Sequence, residues 1–114
     1  MKMDFYSYQE ISRRTLHMSD NQALTVSNLA MGLAGESGEV IDYLKKVYFH
    51  DHPLNKEKVI DELGDVLWYI SSLAFVHDID LEDVAEYNIQ KLEKRYPSGF
   101  SVEKSINRLE GGKQ

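Results

Sequence analysis

Apolar residues in this chain recur at spacings of three and four, with polar residues between them, over most of its length. That period belongs to helices, not strands. The first such stretch runs from about Asp4 to Leu16, with Asp4 as its candidate N-cap. A longer set comprises Val26, Leu29, Ala30, Leu33, Val40, Ile41, Leu44, Val47 and Tyr48. It predicts a second helix that ends at about Phe49, where "HDHPL" breaks it. Ser19 and Gln22 stand at capping-box spacing before it. Asn55 is a good N-cap for a third helix, with Leu54 and Val59 at hydrophobic-staple positions. Its stripe is Val59, Leu63, Val66, Leu67, Ile70, Leu73 and Ala74. Asp80 caps a fourth helix, stapled by Ile79 and Val84, which "YPSG" ends at about Arg95 or Tyr96. A short helix over Val102 to Leu109 completes the pattern. The expected class is all-α: a bundle of about four helices built on a central antiparallel hairpin. One domain is expected over 1–114, with its core at about 4–96 and a tail at 97–114.

Composition narrows the setting. A chain of 114 residues can bury a modest core, and many such chains complete it by oligomerising. Cysteine is absent, which rules out disulfides and thiolate metal sites. The stretch "MKMDFYSYQ" has no apolar run resembling a signal peptide. No stretch nears the ~20 apolar residues that span a bilayer. A cytoplasmic protein with no membrane partner is the expectation. The net charge of -6 disfavours a nucleic-acid polymer, whose backbone needs clustered Lys and Arg. It leaves room for a small phosphorylated ligand held through divalent cations.

Two acidic motifs carry the candidate chemistry: Glu36-Ser-Gly-Glu39 on the second helix and Glu62-Leu-Gly-Asp65 on the third. Acids three apart share a helix face. At about 100° per residue, both pairs fall beside the apolar stripes, neither in the core nor pointing straight to water. Asn28, Gly32 and Tyr43 lie along the same edge as Glu36, and Tyr69 along the edge of Glu62 and Asp65. Counting outward from Pro53, Glu39 comes level with Asp65 or Val66, and Glu36 with Tyr69. Four such carboxylates repel one another unless cations sit between them. All-oxygen ligation points to Mg²⁺ or Mn²⁺. A single Glu-x-x-Glu is usually a solvated face; two pairs at matching heights are not so easily dismissed. A ferritin-like di-iron centre would want Glu-x-x-His, and no histidine here has a Glu three residues before it.

The residues resemble a known pattern. Glu-x-x-Glu, a spacer (here Val40 to Asp61) and Glu-x-x-Asp form the signature of the MazG-like, all-α nucleotide pyrophosphohydrolases. "ALTVSNLAMGLAGESGEVIDYLKK", "ELGDVLWY" and "KLEKRYP" follow in the family's order. The resemblance covers about Asn21 to Ser101. It implies a Mg²⁺-dependent enzyme, with Mn²⁺ as a substitute, that cleaves nucleoside triphosphates between the α and β phosphates. The products would be a monophosphate and pyrophosphate, and the assembly a homodimer or homotetramer. Carried over, the metal ligands would be Glu36, Glu39, Glu62 and Asp65, with Glu36 or Glu39 also orienting the attacking water. Asn88, Lys91 and Arg95, one stripe of the fourth helix, resemble the family's phosphate and sugar contacts; their plain reading is a solvated basic face. Asn28 could bond a base or ribose, and Tyr69 could stack on a base. Some members double the first acid where this chain has Gly35, so the number of metals and the general base stay open. Two rivals also stay open: a non-catalytic nucleotide sensor and a helical interaction module.

The stretch "GLAGESGEV" adds three glycines to the second helix, each costing about 1 kcal/mol against alanine. Gly32 lies on the ligand-facing stripe, where close approach of phosphate or sugar would require it. Gly35 and Gly38 fall on other faces and suit a helix crossing in an oligomer or a local kink. On this reading Gly32→Leu impairs nucleotide binding more than folding.

Overall fold

The computed structural model describes residues 2–111, with side chains described through residue 107. Five α-helices lie among those residues: α1 (Phe5–Ser12), α2 (Gln22–Phe49), α3 (Lys56–Val76), α4 (Leu81–Arg95) and α5 (Val102–Gly111). No strand occurs among them; Pro97 and Gly99 form a lone bridge in the turn after α4. The all-α expectation holds.

Asp4 caps α1, its carboxylate accepting from the Ser7 N–H at 2.8 Å. The first segment has the expected extent, but it tightens into a 3₁₀ turn over Arg13–Thr15. There the hydroxyls of Ser12 and Thr15 donate back to the carbonyls of Gln9 and Ser12, a competition with the regular ladder. The cap of α2 differs from the expected Ser19–Gln22 box. Asn21 is the N-cap and accepts from the Leu24 N–H, while the Ser19 hydroxyl accepts from the Asn21 N–H. Gln22 is drawn away to the Val76 carbonyl, 2.9 Å distant, and ties the start of α2 to the end of α3.

α2 and α3 form the central hairpin, and they make the most extensive helix–helix contact among the described residues. Its turn is asymmetric. Asp51 takes a left-handed φ of 59°, and the His52 N–H bonds the Lys46 carbonyl. Residues 51–55 then run back along α2 without helical structure. The Tyr43 hydroxyl pins them by accepting from the Asn55 N–H at 2.8 Å and donating to the Pro53 carbonyl. Non-helical chain advances about 3.3 Å per residue against 1.5 Å in a helix. Simple counting from Pro53 therefore misjudges the register. Tyr69 lies against Gly32, and Glu36 faces Glu62 and Asp65, one turn away from the expected alignment of Glu36 with Tyr69. Asn55 caps α3 through the Glu57 N–H. Asn55→Ala is expected to cost about 1 kcal/mol in a denaturant titration.

α1 and α4 dock at the far end of α3 through a polar joint. The buried Gln9 donates to the carbonyls of Ser71 and Ile79 and accepts from the Leu81 N–H. That last bond serves the start of α4, where Asp80 occupies the N-cap position with no side-chain capping bond. Small buried residues of α3, Ser71, Ser72 and Ala74, let the neighbours approach. Trp68 donates to the Thr15 hydroxyl at 2.8 Å and meets Tyr69 edge-on.

The buried apolar set among the described residues is small: Leu29, Ala74 and Leu81. Met31, Ile41, Tyr48, Phe49, Ile60 and Leu63 are exposed along the hairpin. The radius of gyration is 17.3 Å, against about 13 Å for a compact chain of similar length.

Candidate metal centre

The hairpin brings three acids together. Glu36 from α2 and Glu62 and Asp65 from α3 each offer a carboxylate oxygen, and these oxygens lie within 4.8 Å of one another. The i, i+3 spacing puts Glu62 and Asp65 on one face of α3, and the hairpin register supplies Glu36 from across the cleft. Glu39, one turn further along α2, falls outside this group, although its charge acts on Glu36. Asp65 is exposed and Glu36 partly buried, whereas Glu62 is only 6% exposed. Lys58, one turn back on α3, bonds Glu62 Oε1 at 2.7 Å; the other oxygen, Oε2, is buried with no hydrogen-bond partner. A buried carboxylate oxygen left unpartnered is costly. An all-carboxylate donor set with one orphaned oxygen fits a hard divalent cation such as Mg²⁺ or Mn²⁺.

Partial desolvation, followed by the charges of Asp65, Glu62, Glu39 and Asp61, pushes the Glu36 pKa above its ordinary value. The folded, metal-free chain holds that proton more tightly than the unfolded chain does, so Glu36 stabilises the fold below the ordinary Glu range. That contribution is lost as pH rises through the raised folded value. The melting temperature of wild type relative to Glu36→Gln is expected to fall across that window without metal. Saturating Mn²⁺ should abolish the fall. Melting curves at a series of pH values check both.

Tyr8 is a neighbour of the site that sequence reasoning missed. Burial, and secondarily the charge of Asp65, raise its pKa. It also lines an apolar hollow with Met3, Phe5 and Leu67. No local motif marks it, because only the docking of α1 on α3 brings it there.

The remaining sequence candidates divide. Asn28 is exposed one turn before Gly32, on the stripe that continues to Glu36. Gly32 lies directly under the Tyr69 ring: a Cβ built on it would stand 2.8 Å from the Tyr69 hydroxyl and closer still to the ring carbons. Gly35 and Gly38 have open space where a Cβ would stand, and α2 runs unbroken through all three. Asn88, Lys91 and Arg95 lie on α4, which touches α1, α3 and α5 but not α2. Within one chain α4 therefore does not pack on the helix that supplies Glu36. Lys91 lines a hollow with Tyr87, Gln90 and Lys94, and Arg95 keeps a buried Nε without a partner.

An all-α hairpin with three acids converging across it is a helical scaffold whose donor set could hold a metal, and comparison with known proteins narrows it. Residues 24–100 match the family model of the MazG nucleotide pyrophosphohydrolase domain. The chain belongs to that family. It is also 34% identical over 87 residues to the Gene 37 protein of Mycobacterium phage L5, an alignment covering 73% of this chain and 76% of the phage protein. No solved structure matches. No helix among the described residues is long and apolar enough to cross a membrane.

Proposed function

We propose that this chain is a Mg²⁺-dependent enzyme that hydrolyses nucleoside triphosphates between the α and β phosphates, in the cytoplasm. The observation that carries the reading is the convergence of Glu36, Glu62 and Asp65 around a buried, unpartnered oxygen of Glu62. Family membership supplies the substrate class. Those three acids would hold the metal, with Glu39 joining from the next turn. Bound there, Mg²⁺ would neutralise phosphate charge and lower the pKa of a water. Glu36 or Glu39 orients the attacking water and takes its proton. The water oxygen bonds to the α phosphorus as the bridging oxygen leaves with pyrophosphate. Asn28 bonds the nucleoside, Gly32 leaves room for the Tyr69 ring, and that ring offers its face for stacking.

Asn88, Lys91 and Arg95 contact the phosphates from the α4 of a second copy, in a homodimer or homotetramer. Two facts support this arrangement. α4 does not pack on α2 in its own chain, and the hairpin leaves Ile41, Tyr48, Phe49, Ile60 and Leu63 exposed. Ile41, 67% exposed, is the residue to test. Ile41→Glu is expected to yield monomers by light scattering, with helicity retained and turnover lost.

The deciding experiment incubates the protein with common and damaged nucleotides, with and without Mg²⁺, and measures monophosphate and pyrophosphate. Metal-dependent release of both is the expected result. Nucleotide binding without release would make the protein a sensor, and neither would leave a helical interaction module.

A further inference from the structure

Lys58 is placed against the local preferences of its helix. It is the third residue of α3, where the positive end of the helix dipole disfavours a cation. It also precedes Glu62 by four, the weaker order for a helical Lys–Glu pair. Nevertheless its ammonium sits 2.7 Å from Glu62 Oε1, reaching in from a side chain that is 46% exposed. Among the described residues this is the only ion pair made by a member of the Glu36–Glu62–Asp65 cluster. Asp61 and Glu39 add their charge around the same ammonium.

We propose that Lys58 is a resident counter-cation, holding Glu62 while the centre lacks a divalent ion and yielding it when one binds. The inference rests on the metal-binding role proposed for Glu62. Its ammonium compensates the most buried acid of the cluster, which would otherwise face Glu36 and Asp65 unneutralised. A divalent cation taken up on the unpartnered Oε2 would share one carboxylate with the ammonium on Oε1, and the repulsion between the two cations makes the pair set the threshold for loading. Once displaced, the ammonium stays in the field of Asp61 and remains beside the centre.

The test is a calorimetric titration of Mn²⁺, without nucleotide, into the metal-free chain and four variants. Lys58→Met is expected to bind Mn²⁺ about tenfold more tightly, the scale of a charge-assisted bond discounted for exposure. Lys58→Arg should bind no more tightly than wild type. Lys56→Met, which removes a charge from the same turn of α3 but no bond to Glu62, should stay within about twofold. In melting experiments Lys58→Met should lose stability without metal, with the deficit closing at saturating Mn²⁺. Affinity unchanged or weakened in Lys58→Met overturns the proposal. Equal tightening by Lys56→Met also overturns it, because bulk charge would then explain the gain. Glu62→Gln separates the two levels: Mn²⁺ binding undiminished in that variant overturns the metal role of Glu62, and the inference with it.

Discussion

Glu62→Gln is expected to lower metal-dependent pyrophosphate release by on the order of 10²-fold or more, the scale on which losing one fixed electrostatic contact to the reacting centre is felt. The substitution preserves shape and removes charge. Glu62 is the acid that the fold encloses most completely, and its Oε2 has no partner in the chain. An amide there can still accept from Lys58, but it offers a metal a far poorer ligand. Stability should not fall, because the change also relieves repulsion with Glu36 and Asp65. Melting and turnover measured on the same preparation separate the two effects. Activity unchanged in a folded Glu62→Gln protein would remove the acid from the site.

Gly32→Leu carries the second large effect, and the structure alters its meaning. The sequence places Gly32 on the ligand-facing stripe, as though phosphate or sugar needed the space. In the fold, the Tyr69 ring lies over that position. A leucine must therefore drive Tyr69 out of the hairpin. The expected cost is about 1–3 kcal/mol of overpacking, together with loss of nucleotide binding as Tyr69 is displaced. Combining Gly32→Leu with Tyr69→Ala should recover most of the stability but not the binding. A double-mutant cycle in denaturant reads that coupling. If Gly32→Leu leaves stability intact while binding is lost, the ligand, not Tyr69, is what needs the glycine.

Individual elements were legible in the sequence because they are decided locally. The period of apolar residues and the caps Asp4 and Asn55 depend on neighbours within a few positions, and the helices end where Pro53 and "YPSG" interrupt them. The misreadings arose where a distant group intervened. Gln22 left the expected capping box for the Val76 carbonyl across the hairpin. Asp80 occupies its cap position without a side-chain bond, while Gln9, from α1, accepts from the first N–H of α4.

The sequence by itself determined that the chain is all-α, that it belongs with the MazG-like family, and that each helix of the hairpin carries two acids on one edge. These properties follow from periodicity and from spacing along one helix, which three and four residues suffice to set. Only the tertiary structure decided which acids meet. The Tyr43 hydroxyl holds residues 51–55 back along α2, and non-helical chain covers about twice the distance per residue of a helix. That difference slides α3 by one turn, setting Glu36 against Glu62 and Asp65 and Tyr69 over Gly32. It also decided that α4 packs on α1 and α3 rather than on α2, the helix that supplies Glu36. Register depends on the path of a loop, and no pattern within either helix records it.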